Sequence, residues 1–303
     1  MAVTLHDKNR TLNYQGLAVT ETEPLSASAD ANEHLTRLLE LVVFKPYLAN
    51  KDSPWWHAQI DAARIDGTDP VQVMARDALK AIVTYQDLSG VKPTHYAGYA
   101  AIEETLAGVM KASEDKDVAP ILRIIASNYQ GLANLQLSGD PARAAEKEDI
   151  ARKGAAAFRE SFTIAQANES ADFPLWQGFS RFNEARINIF KLDVPEGLKL
   201  LEESTALRKK WVGVDVASPE IQQALTLEYL YAKVFMVQRN PDLPLPETLA
   251  FAMEYEQMKP PSTIPLAKTV ETMWGDQEKR LNLAAVRATT SDRQVDTRIP
   301  PGS

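Results

Sequence analysis

The chain has 303 residues, of which 45% are hydrophobic and 24% charged, a composition typical of globular proteins that excludes disorder of the whole chain. Its formal net charge is −8, which argues against a nucleic-acid partner, because phosphate binding requires clustered Lys and Arg. It has no cysteine, which excludes disulfides, zinc–thiolate sites and a cysteine nucleophile.

The sequence holds no candidate membrane span and no secretory signal. Its longest apolar stretches fall far short of the roughly 20 residues that cross a bilayer. The first ten residues lack the apolar core of a signal peptide. We expect a cytoplasmic protein, with a mature periplasmic protein as the alternative if a signal peptide has been removed.

Residues 1–30 differ in character from the chain that follows them. Short extended pieces at 11–14 and 17–20 precede a stretch rich in Ser, Ala and Glu, which predicts an arm that lies on the body or is partly disordered. At the other end, residues 289–303 have no apolar periodicity and predict a tail.

Prolines mark the starts of helices between residues 31 and 288. Glycine is scarce (13) and proline plentiful (18), a balance that disfavours a β-sandwich. Proline fits the first helical turn, where its missing N–H has no partner anyway. Asp30 with Glu33 predicts a capping box. At four further starts a capping residue directly precedes the proline, in Ser53-Pro54, Asp69-Pro70, Asp140-Pro141 and Ser218-Pro219.

These signals, together with apolar residues at helical spacing, predict eleven helices. They lie near 31–49, 54–65, 70–88, 94–113, 118–137, 141–169, 173–191, 195–211, 219–239, 246–258 and 265–288. The densest basic run, Arg208-Lys209-Lys210, ends one of them, where it complements the helix dipole without any ligand.

The connections between these helices are short, which favours antiparallel neighbours. We predict an all-α fold in which residues 31–288 form one array of antiparallel helical hairpins. Its parts are the N-terminal helices at 31–113, a repeat-like part at 118–258 and a C-terminal capping helix at 265–288.

Residues 118–258 resemble a degenerate tetratricopeptide array, in which paired helices carry small residues where they cross. In the copy at 173–211, Ala185 and Gly197 occupy such positions, and Gly131 does so in another copy. The copies are longer than the family's repeat of about 34 residues, and its Trp and Tyr signature positions are mostly missing. The resemblance implies a tetratricopeptide-like α-solenoid, with an irregular helical array as the alternative.

The same resemblance implies a concave groove lined by the first helix of each hairpin. Among the groove positions, the candidate ligand-binding residues are Phe179, Phe182 and Arg186 on one copy, and Tyr229 and Lys233 on the next. Family members that grip peptide carboxylates use basic side chains at such positions. The leading hypothesis is therefore a non-catalytic binding protein whose partner is a protein, a peptide or a small acidic ligand.

An all-helical enzyme is the first alternative. Its site would lie near the helices that carry Trp55–His57 with Asp61 and His95 with Glu103, which are metal-ligand and acid–base residue types. Yet the sequence has no HExxH, GxSxG or phosphate-cradling glycine motif, so we assign no catalytic residue, metal or cofactor. The second alternative is a periplasmic or secretion-linked helical-repeat component whose N-terminal arm docks to a partner.

Overall fold

All regular structure in the described residues is helical. The computed structural model describes residue 5 and residues 30–45, 52–91, 94–114, 116–168, 173–213, 219–240, 242–258 and 265–295. Within them the chain forms eleven α-helices and a 3-10 helix over Pro141–Glu146. The predicted all-α class is therefore confirmed.

The helices follow the order of the predicted segments. They are α1 (Ala31–Val42), α2 (Ser53–Ala62), α3 (Pro70–Val91), α4 (Tyr96–Ser113), α5 (Pro120–Leu137), α6 (Lys147–Ala167), α7 (Phe173–Lys191), α8 (Val194–Lys209), α9 (Pro219–Arg239), α10 (Leu245–Met258) and α11 (Pro265–Val295).

The helix starts show the capping chemistry that the prolines indicate. Asp69 Oδ1 accepts a hydrogen bond from the Val71 N–H at 2.9 Å, and Asp30 accepts one from Asn32. At α2 the capping residue is Asp52, which accepts from the Trp55 N–H, and not the predicted Ser53. Ser53 is already the first helical residue and its hydroxyl donates to Asp87 instead.

Three predicted boundaries were wrong by six or seven residues. α1 ends at Val42, well before residue 49, because Pro46 cannot continue a helix. The segment at 141–169 divides into the 3-10 helix and α6, and the break lies near Arg143, whose φ of −110° and ψ of 24° are not helical. α11 continues to Val295, so the first part of the predicted tail is helical.

Most of the predicted N-terminal arm lies outside the described residues, as do its extended pieces at 11–20 and the last residues of the tail. Leu5 is the exception within the arm. Its side chain is fully buried, and its carbonyl oxygen accepts a hydrogen bond from the Ala119 N–H at 2.6 Å. This contact places Leu5 against the start of α5.

The helices pack in neighbouring pairs. From α3 to α9 each helix packs on the next one in sequence. In addition α1 contacts α3, α3 contacts α5 and α5 contacts α7, whereas no comparable contact joins α4, α6 and α8 to one another in the described part. α1, α3, α5 and α7 therefore form the closer row, which is called the inner row below.

Small residues allow the close helix crossings. A Cβ atom at Gly131 on α5 would lie 2.6 Å from the ring of Phe158 on α6. A Cβ atom at Gly197 on α8 would lie 3.0 Å from the carbonyl oxygen of Ala185 on α7. Both glycines therefore occupy crossings that have no room for a side chain.

None of the described helices is both long enough and apolar enough to cross a membrane.

The crossing of α7 with α8 can be tested with a pair of Gly→Ala variants. Gly197→Ala should lower the free energy of unfolding by about 1–3 kcal/mol, because overpacking forces the backbone to shift. The new Cβ atom would meet the main chain of Ile189 at 2.9 Å as well as that of Ala185. Denaturant unfolding measures the change.

The control is Gly108→Ala on the exposed side of α4, where an added Cβ atom meets nothing within 4 Å. This variant should be neutral or more stable by up to about 1 kcal/mol, because alanine is the better helix former. Equal effects of the two substitutions would contradict the tight crossing at Gly197.

Candidate functional site

A cavity of about 410 Å³ lies on the inner row of helices. Its lining side chains come from α3, α5, α7, α8, α9 and α11. α7 and α9 border it and meet through side chains, as the rings of Phe182 and Tyr231 do at a centroid distance of 5.2 Å.

The walls of the cavity are largely aromatic. The lining rings are Tyr85, Tyr129, Trp176, Phe179, Phe182 and Tyr231. Tyr85 and Tyr129 pack edge to face at 5.6 Å, and the ring of Trp176 tilts against Phe179 at the same distance. Edge-to-face pairs contribute about 0.5–1.5 kcal/mol beyond area burial, so these walls are held in fixed orientations.

A buried chain of polar side chains supports the cavity. The Asn183 amide donates to Asn128 Oδ1 at 3.0 Å, and the Asn128 amide donates to the Ser180 hydroxyl at 3.2 Å. Ser180 in turn hydrogen-bonds Ser161 at 2.8 Å. Because buried polar groups that satisfy one another are rigid, α5, α6 and α7 are held in one register beneath the cavity.

Arg208 crosses from α8 towards α9 and is neutralised there. Its guanidinium is 2% exposed and donates to both the carbonyl oxygen and the carboxylate of Glu228 at 2.6 Å. The guanidinium carbon lies 4.9 Å from the centroid of the Phe179 ring and 4.4 Å from that of Phe182. Gly178 leaves space for this side chain, because a Cβ atom there would lie 3.0 Å from the Arg208 stem.

Arg186 also lines the cavity, but no carboxylate neutralises it. Its Nη1 donates to Asn183 Oδ1 at 3.4 Å, and in the described part of the chain its guanidinium forms no ion pair. Its Nε is buried without an acceptor among the described residues. The side chain is partly exposed, so the charge of Arg186 is open to an anion in the cavity.

Tyr85 and Tyr129 do not compete for that charge as anions. Burial raises the pKa of Tyr85, and the hydrogen bond from Gln136 and the charge of Arg186 offset this only in part. Burial likewise raises the pKa of Tyr129, whose hydroxyl accepts a hydrogen bond from Gln86 at 2.7 Å. Both hydroxyls are therefore protonated at neutral pH and can act as hydrogen-bond donors.

The structure brings together three of the five side chains assigned to the groove from sequence. Phe179, Phe182 and Arg186 all line the cavity. Tyr229 and Lys233 do not, because they lie on the side of α9 that faces α10.

The contacts of these two residues define that side of α9. The Tyr229 side chain is buried, and its hydroxyl donates to Glu254 on α10 at 2.9 Å. Lys233 Nζ lies 6.0 Å from the centroid of the Phe251 ring, also on α10. The expected pairing of Arg186 with Lys233 on one concave surface is therefore absent from the cavity.

Sequence reasoning missed Arg208, Glu228 and Tyr231. Glu228 and Tyr231 stand three residues apart on α9, and Phe235 continues the same face towards Phe182. Arg208 stands in the last turn of α8, as the sequence predicts, and its charge is also buried and paired with Glu228.

The residues of the alternative enzyme site have structural partners. Trp56 is fully buried in the core and Asp61 pairs with Lys80 at 2.8 Å. The hydrogen bond from Lys80 lowers the pKa of Asp61, with the charge of Lys80 and of His57 acting in the same direction.

The second half of that alternative site is likewise engaged locally. His95 caps α4 by accepting from the Gly98 N–H at 3.1 Å. Glu103 accepts a hydrogen bond from Gln130 on α5 at 3.2 Å. Across the described residues, no three His, Asp or Glu side chains are grouped so that they could hold a metal ion.

A second cleft, of about 470 Å³, lies between α6 and α7 and is lined mainly by charged side chains. Arg152 pairs there with Glu148, and Arg159 pairs with the buried Glu184 at 2.9 Å. The arginines of this cleft already have carboxylate partners, and no aromatic side chain is among its lining residues, so it lacks the combination of rings and a guanidinium unpaired among the described residues that the aromatic cavity has.

Comparison of the chain with protein-family models, with characterised proteins and with solved structures gives no match. Its function is therefore inferred from the chemistry of the cavity alone.

The contribution of the Arg208–Glu228 ion pair to stability can be tested by removing one of its charges. Glu228→Gln should lower the free energy of unfolding by about 3 kcal/mol, because it leaves the guanidinium of Arg208 buried without a counter-charge. Urea unfolding followed by circular dichroism gives the change.

The control is Glu148→Gln, which removes a carboxylate from an ion pair whose side chains are both 67% exposed. Its effect should be below about 1 kcal/mol, because exposed pairs contribute little. If Glu228→Gln were as mild as this control, Arg208 would not depend on Glu228.

Proposed function

We propose that this chain is a non-catalytic binding protein, built as a tetratricopeptide-like α-solenoid, whose inner cavity takes an acidic ligand. The ligand is a small acidic molecule or the carboxylate end of a peptide. The observation that carries the proposal is Arg186, a cation on the wall of an aromatic cavity that forms no ion pair among the described residues.

Physical chemistry favours an anion at this position. A guanidinium that is partly desolvated has lost part of its hydration, and a charge in such a place is costly unless it is paired. A carboxylate matches the fork of a guanidinium in two parallel hydrogen bonds, which are about twice as strong as neutral ones. Arg186 is therefore suited to hold one carboxylate.

The aromatic walls support a binding role as well. Ligand sites are concave, mostly apolar and carry a small number of polar groups that fix orientation. The cavity has this composition, with Arg186, Asn183 and Gln136 among its polar groups.

The helix stack also supports binding, since curved arrays of helical hairpins present extended concave surfaces to partners. The contacts that join α1, α3, α5 and α7 fit such an array.

The proposal is tested by screening small carboxylates and acidic peptides against the purified protein, using ligand-observed NMR and then calorimetry. Arg186→Met should weaken binding of the compounds found by at least about tenfold, the effect of losing hydrogen bonds to a charged group. Methionine keeps the apolar stem, so the variant should retain the melting temperature of the parent.

Lys233→Met is the matched control, because it removes a cation from the opposite side of α9. It should leave the affinity unchanged. The proposal fails if no anionic compound binds, or if those that bind do so equally well to the Arg186→Met variant.

A further inference from the structure

The side chains that line the cavity carry one positive charge that no carboxylate of the described residues neutralises. Arg208 is already neutralised by Glu228 at 2.6 Å, so this pair adds no net charge. Among the described residues that line the cavity, Arg186 is then the cation without a carboxylate partner. One carboxylate on Arg186 completes the charge balance, and a second one would meet the carboxylate of Glu228.

The walls favour a ring over an aliphatic chain. Rings from four helices, α3, α5, α7 and α9, surround the cavity. Aromatic side chains attract another ring by edge-to-face or offset contact, which a saturated ring of similar size does not reproduce. The protonated hydroxyl groups of Tyr85 and Tyr129 provide hydrogen-bond donors on the α3 and α5 sides.

Arg186 provides the positive charge for a carboxylate and also lies beside the aromatic walls. Its guanidinium carbon is 5.9 Å from the centroid of the Phe182 ring, and its charge acts on the hydroxyl of Tyr85 across the cavity. A carboxylate bound to Arg186 would thus hold an attached ring between aromatic walls.

We infer that the ligand is a small aromatic monocarboxylate, a molecule that joins one or two fused rings to a single carboxylate by a short chain. This inference rests on the proposed function, since it names the ligand class of the same site. The volume of about 410 Å³ is within the range of small-molecule sites, about 300–1,000 Å³, and suits such a molecule better than an extended peptide.

The experiment compares four matched compounds by calorimetry on the full chain. The reference is 3-phenylpropionate. 3-Cyclohexylpropionate removes the aromaticity, 3-phenylpropanamide removes the charge, and phenylsuccinate adds a second carboxylate to the same skeleton. A short peptide that ends in two aspartates represents the peptide class.

The reference should bind most tightly. The cyclohexyl analogue should bind about 3–10-fold more weakly, the size of an aromatic pair contribution. The amide should bind at least about tenfold more weakly, because it loses the charge-assisted hydrogen bonds to Arg186. Phenylsuccinate should also bind more weakly than the reference, owing to repulsion by Glu228. Arg186→Met should abolish the preference for the acid over the amide.

The outcomes separate this inference from the proposed function. If phenylsuccinate, the cyclohexyl compound or the peptide binds best and depends on Arg186, the ligand class is wrong and the binding function stands. If no compound shows binding that depends on Arg186, both are wrong. A 3-phenylpropionate affinity that is unchanged in Arg186→Met, with the amide equally tight, overturns the inference as well.

Discussion

The cavity depends on the buried ion pair between Arg208 and Glu228. Removing two charges from water is unfavourable unless their geometry is good and their remaining hydrogen-bonding groups are occupied. Here the guanidinium donates through Nη1 to both the carboxylate and the main-chain carbonyl of Glu228, and it lies over the rings of Phe179 and Phe182. Its Nε is buried without an acceptor among the described residues. One side chain from α8 thereby joins α7 to α9, and Gly178 is the position that lets it pass.

This junction is where the packing of the stack changes. Further towards the N-terminus, α3, α5 and α7 contact one another in turn. Glycines allow the close crossings of α5 with α6 and of α7 with α8. α9 instead meets α7 through the rings of Phe182, Tyr231 and Phe235. A pair of helices held apart by large side chains leaves space between them, and the cavity occupies that space.

The contrast between the two arginines explains why the cavity has a chemical preference. Both lie beside Phe182, at guanidinium distances of 4.4 Å for Arg208 and 5.9 Å for Arg186. Arg208 stabilises the fold because its counter-charge belongs to the chain. Arg186 has only the amide oxygen of Asn183, and Asn183 is itself fixed by Asn128 in the buried polar chain. A fixed cation with a weak internal partner is the arrangement that an external carboxylate stabilises.

The sequence by itself determined the helices and the tight crossings. Prolines with capping aspartates start helices through local hydrogen bonds, and a crossing without room for a side chain requires a glycine, as at Gly131 and Gly197. Tertiary structure decided the candidate site. α9 is buried over most of its circumference, with Leu225, Leu227, Leu230 and Val234 on different sides, so periodicity could not select the face that meets the cavity. The rotation of α9 about its own axis comes from packing against α7, α8, α10 and α11 together. That rotation turns Glu228 and Tyr231 to the cavity, and Tyr229 and Lys233 away from it.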